Sequence, residues 1–115
     1  AEASRRKARM SRADWEQAHE ETVALETALV EAMLSGVEPG SPEANVLAQW
    51  HRKDLNRWFE VSISKQVLIG RGYVADERFA RYYDKRAPGL AAWLKDVIDS
   101  GARSEGIDPD TVAWE

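Results

Sequence analysis

At 115 residues the chain is the length of one domain, long enough to bury a core without staples. It has no cysteine, which excludes disulfides, thiolate metal sites and a cysteine nucleophile. No apolar run approaches the roughly 18 residues of a membrane span and none resembles a signal peptide, so a cytoplasmic protein is expected. Sixteen Lys and Arg against 20 Asp and Glu give a net charge of −4. Arg5, Arg6, Lys7, Arg9 and Arg12 against Glu2 make residues 1–12 net +4 and the remainder −8, and an acidic body does not by itself attract nucleic acid.

Residues 1–10 read as a basic linker or flexible N-terminus. Ser11-Arg12-Ala13-Asp14 is a capping-box-like start. Behind it Trp15, Ala18, Thr22, Leu25, Leu29 and Ala32 recur at spacings of three and four, one apolar stripe on a long helix that Gly36 closes. Glu20, Glu21, Glu26 and Glu31 lie mostly off that stripe and read as a solvated face. Val37-Glu38-Pro39-Gly40 is a turn. Ser41 caps a second helix with Pro42 at its first position; its apolar face is Val46, Leu47, Trp50, Asp54 or Leu55, and Trp58.

The β-branched and hydroxyl run Val61-Ser62-Ile63-Ser64 favours a break, with Ser62 or Ser64 capping a third helix that carries Val67, Leu68 and Tyr73. Gly70 and Gly72 follow a helix rather than a strand, so they mark close helix packing or a loosened turn, not a phosphate loop. Asp76 caps a short helix over 77–86 with Phe79, Tyr82 and Tyr83 inside. Pro88 starts a fifth helix that buries Leu90, Trp93, Leu94, Val97 and Ile98, and Gly101 is expected to stop it. Residues 102–115 read as a flexible tail, in which Asp108-Pro109-Asp110 offers one turn that docks Trp114. The whole is an all-α domain of about five helices over 11–101.

Chemistry has few places to sit. Trp50, Trp58, Phe59, Tyr73, Tyr82, Tyr83 and Trp93 exceed what a core of this size must bury, so some should line a cleft. His51 and Asp54, three apart on one helix, are either a base with its orienting carboxylate or a surface pair beside Arg52 and Lys53. Two His without Cys make a metal or haem site unexpected, and no cofactor is expected. The stripe from Trp15 to Ala32 leaves open a dimer seam, which makes a helical protein-interaction domain the alternative reading.

The order Trp15, the Gly36-Val37-Glu38-Pro39 turn with Ser41, His51-Arg52, Tyr73-Val74-x-Asp76-x-Arg78-Phe79, Tyr83-Asp84 and Pro88-Gly89-Leu90-Ala91 resembles the TipAS-type antibiotic-recognition domain over residues 12–101. The resemblance implies a globin-like helical fold with a deep cleft for amphipathic peptide antibiotics such as thiopeptides. It implies either the effector-sensing domain of a MerR-type transcription activator or a free-standing drug-sequestering resistance protein. It also implies an N-terminal part that orders when ligand binds. No enzyme activity, no direct nucleic-acid contact, no membrane partner, and a monomer or weak dimer are expected.

In that reading Trp50, Trp58, Phe59 and Tyr83 supply stacking surfaces, and Asp54, Ser62 and Tyr73 supply polar anchors. A relative that captures its drug covalently uses a cysteine in the segment that here reads Trp58-Phe59-Glu60-Val61-Ser62. Val61 stands there in this chain, so binding is expected to be reversible.

Overall fold

The computed structural model describes residues 2–115, and every helix in it begins or ends on a local signal. The helices are α1 Glu2–Ala8, α2 Arg12–Leu34, α3 Pro42–Asn56, α4 Ile63–Ala75, α5 Glu77–Asp84 and α6 Leu90–Ser104, with no strand among the described residues. Ser11 caps α2 as one half of a reciprocal box: its hydroxyl accepts from Asp14 N at 3.1 Å, and Asp14 accepts from Ser11 N at 2.9 Å. Ser41 with Pro42 at the first turn opens α3, Ser62 opens α4 and Asp76 opens α5. Gly89 caps α6 without a side chain. Asp84 supplies the missing acceptor by taking Ala91 N at 3.0 Å.

The end of α6 corrects the sequence reading. Gly101 does not stop the helix, which continues to Ser104 and closes at Gly106. There φ is +81°, Gly106 N donates to Arg103 O and Ile107 N donates to Ala102 O, the paired bonds of a Schellman end. Gly101 instead permits close approach: a Cβ on it would lie 3.0 Å from the Cβ of Ala48 in α3. A Cβ on Gly70 of α4 would lie 2.9 Å from Ile98 Cδ1 in α6. The two glycines let α6 press against both α3 and α4, so α6 is the central helix. Its Leu90, Leu94, Val97 and Ile98 are fully buried; Leu90, Leu94 and Ile98 pack with Leu25 and Leu29 of α2 and Val67 of α4, and Val97 packs with Ala44 and Ala48 of α3.

The α2 stripe turns to this core through Ala18, Leu25 and Leu29, while Trp15 at its start remains exposed. Residues 2–8, in the stretch expected as linker, form α1, and the stretch expected as tail contacts the body. Glu2 and Arg6 pair four apart on α1, and basic residues sit in its last turn, where they meet the helix's partial negative charge. Arg6 donates to the carbonyl of Asn56, and Lys7 lies over the Trp58 ring. At the other end Arg71 donates to Pro109 O at 2.8 Å, Pro109 is buried, and Ile107 and Val112 pack on the core. Asp108 accepts from Asp110 N and Thr111 N in a turn, and Trp114 stacks on Phe59.

Candidate functional site

The long helix α2 lies between two grooves. On one side Glu21 and Ala24 face Trp50, Asp54 and Arg57 of the α3 side across about 390 Å³. On the other side Val23, Glu26, Thr27 and Val30 face Arg86 across about 410 Å³. A third groove of about 410 Å³ is lined by Tyr73, Arg78, Phe79, Tyr82 and Tyr83. Glu26 and Arg86, paired at 3.0 Å, link the last two, and the Arg86 guanidinium lies over the Tyr82 ring and donates to its hydroxyl at 3.2 Å.

At the wall of these grooves is a buried polar chain from three helices. Gln66 of α4 donates to the Ala48 carbonyl at 2.8 Å and lies 2.8 Å from His51 Nδ1, while His51 Nε2 lies 3.0 Å from the Tyr73 hydroxyl. The Tyr73 and Tyr83 rings are 4.7 Å apart. Burial, with the neighbouring Arg52 cation, lowers the His51 pKa to about 4, so the ring is neutral at physiological pH. Burial raises the Tyr73 pKa to about 12 and raises that of Tyr83 as well, so both phenols keep their protons. Beside the chain, Asp54 accepts from Thr22 at 3.3 Å and from Arg57 at 2.8 Å, and Arg57 also reaches Glu21.

The structure brings Asp54, Tyr73 and Tyr83 into one neighbourhood and sets Trp50 at the groove beside Asp54. Trp58 stands further along, half-buried, its ring 5.5 Å from that of Trp15. Phe59, Val61 and Ser62 form the α3–α4 corner, away from the aromatic groove. Phe59 is stacked 6.2 Å from Trp114, Val61 is buried, and the Ser62 hydroxyl is taken by the cap of α4.

Two expectations about the chemistry are corrected. His51 is neither a surface residue nor the partner of Asp54: it is 3% exposed, and both its nitrogens are engaged by Gln66 and Tyr73. It therefore has no free nitrogen with which to act as a base. Phe79 and Tyr82 are exposed rather than inside; α5 is short, and its outer aromatics line the groove instead of filling the core. No group of three or more His, Cys, Asp or Glu suited to a metal is present among the described residues, and no helix there is long and apolar enough to cross a membrane.

Sequence reasoning missed Glu26, Gln66 and Arg86. Glu26 did carry a signal, since it lies four residues after Thr22 and three before Leu29 and so shares their inward face. Gln66 lies four residues before Gly70 and seven before Tyr73, on the face of α4 turned inward.

Comparison with known proteins places the chain in a family. Residues 1–100 match the TipAS antibiotic-recognition domain. The HTH-type transcriptional activators TipA of Streptomyces coelicolor and of Streptomyces lividans are each 33% identical over 90 residues, covering 77% of this chain and 36% of theirs. The chain thus spans about a third of the length of these relatives. Among solved structures, TipAS of a Streptomyces lividans thiopeptide antibiotic multidrug resistance system, in complex with nosiheptide, superposes with a TM-score of 0.82 at 28% identity. That match covers 90% of this chain and 73% of the other. The all-α, globin-like architecture expected from the sequence is the one found.

Proposed function

The chain belongs to the TipAS antibiotic-recognition domain family, and on that premise we propose that it binds an amphipathic peptide antibiotic of the thiopeptide kind, reversibly, in the grooves flanking α2. The observation that carries this reading is the juxtaposition of apolar groove surface with a few fixed polar groups. Tyr73, Phe79, Tyr82 and Tyr83 offer ring faces, and Asp54, Glu26 and Arg86 stand beside them. A nosiheptide complex of a neighbour with the same fold supports the ligand class.

Trp50, Trp58 and Tyr83 supply stacking surface, and Asp54 and Tyr73 supply polar anchors; Phe59 and Ser62, expected beside them, are engaged at the α3–α4 corner instead. The chain has no cysteine, and in the family resemblance Val61 stands in place of the capturing one, so the complex is non-covalent. The bound state serves as the sensing step of a MerR-type activator or as drug sequestration. The domain is not an enzyme, acts in the cytoplasm, makes no direct contact with nucleic acid, and is monomeric or weakly dimeric in isolation. Helix α2 closes over the ligand, because it faces two of the grooves and only part of its length is buried.

Titration with nosiheptide, followed by intrinsic tryptophan fluorescence, tests the reading. Trp15, Trp50 and Trp58 lie on or near the grooves, so a saturable change is expected. A flat titration with folded protein overturns it.

A further inference from the structure

We propose that Gln66, which is too deeply buried to touch a ligand, decides the hydrogen-bonding role of the Tyr73 hydroxyl, so that the aromatic groove selects a ligand carrying an acceptor, a carbonyl oxygen or an unprotonated ring nitrogen, at that point. The inference rests on the binding reading above. Gln66 is 2% exposed. Its Oε1 accepts from Arg52 Nη1 at 3.2 Å, and its Nε2 donates to the Ala48 carbonyl at 2.8 Å. A guanidinium only donates and a carbonyl only accepts, so the two partners fix the amide in one orientation. The second N–H of that amide points at His51 Nδ1, 2.8 Å away, which must then present its lone pair.

The proton of the neutral ring therefore sits on Nε2, and Nε2–H donates to the Tyr73 oxygen at 3.0 Å. Tyr73, held protonated by burial, accepts there and keeps its own proton. His51 cannot take that proton, because its Nε2 already carries one. The Tyr73 O–H is left to donate toward the groove that Tyr73 lines. In the opposite tautomer Tyr73 would donate to His51 and offer only lone pairs. The direction of one buried amide thus sets whether Tyr73 offers a ligand a donor or only lone pairs. Gln66 is a positioning residue that acts through His51 and Tyr73.

The test compares wild type with Gln66→Glu, which replaces the amide donor by an acceptor. Ring-nitrogen chemical shifts from ¹⁵N-edited NMR report the tautomer. Nosiheptide affinity is measured at a pH where the same spectrum shows a neutral ring. The expected result is Nε2–H in wild type and Nδ1–H in the variant, with affinity lower by about tenfold or more, the loss of one buried hydrogen bond. An Nδ1–H ring in wild type overturns the proposal. So does an Nε2–H ring in the variant, or wild-type affinity in a variant whose ring is Nδ1–H. Wild-type protein that binds no nosiheptide overturns the binding reading itself and the proposal with it. If Gln66→Glu does not fold, Gln66→Met frees the tautomer, and affinity should fall with the fraction of Nε2–H. An affinity indifferent to that fraction overturns the proposal.

Discussion

Glu26 of α2 and Arg86, beyond the end of α5, form an ion pair at 3.0 Å in which the carboxylate side chain is 9% exposed and the guanidinium 35%. The pair joins the long first helix to the aromatic groove, and the two partners are unequal. Glu26 is the buried charge and Arg86 is what makes its burial tolerable. Arg86→Met should therefore cost about 2–4 kcal/mol, since it leaves a buried carboxylate unpaired. Glu26→Gln, which removes the charge, should cost less. Urea denaturation of both single variants and the double variant checks this; equal losses for the two single changes would contradict the asymmetry.

His51 makes stability depend on pH. Its folded-state pKa is lowered from 6.5 to about 4 by burial and by Arg52. Because the folded form resists the proton, the unfolded chain binds it first as pH falls. Stability is fully present above about 6.5 and is lost between about 6.5 and about 4, on the order of 3 kcal/mol over that window. Denaturation midpoints at pH 7, 5.5 and 4 read the slope. A His51→Asn variant should show a flatter profile in the same window; an unchanged slope would assign the acid sensitivity to other groups.

Helix α6 is pressed against its neighbours at glycine. Gly101→Ala would place a Cβ 3.0 Å from Ala48 Cβ, an atom that cannot move without its backbone. It should destabilise by about 1–2 kcal/mol, although alanine is the better helix former. Gly72→Ala meets nothing within 4 Å in α4 and should stabilise by about 0.5–1 kcal/mol. Thermal unfolding of the two variants should therefore move in opposite directions.

Trp58 is half-buried between Trp15, Lys7 and Arg57. Trp58→Ala should leave the fold standing, because the ring lies outside the α6 core, and should weaken nosiheptide binding by about tenfold through lost stacking area. Calorimetric titration beside circular dichroism separates the two effects, and unchanged affinity would remove Trp58 from the site.

What the sequence by itself determined lies within reach of a single helix. Ser11, Ser41, Ser62 and Asp76 cap because their oxygens meet N–H groups two or three residues on. Leu90, Leu94, Val97 and Ile98 face inward because their spacing sets them on one side of α6. The family motifs were legible because they are strings of such local signals. The rest needed partners from elsewhere in the chain. Gly101 carries the same local signal whether it ends a helix or admits a neighbour, and the nearness of Ala48 decided which. Val46 and Trp50 match an apolar helical face yet remain exposed, whereas His51 beside them is buried. Only the packing of α3 and α4 on α6 brings Gln66 and Tyr73 to satisfy that imidazole. A polar side chain enters the interior where another helix brings its hydrogen-bond partner. For Glu26, His51 and Gln66 that partner is distant in sequence, which is why tertiary structure, and not periodicity, assembled the polar wall of the site.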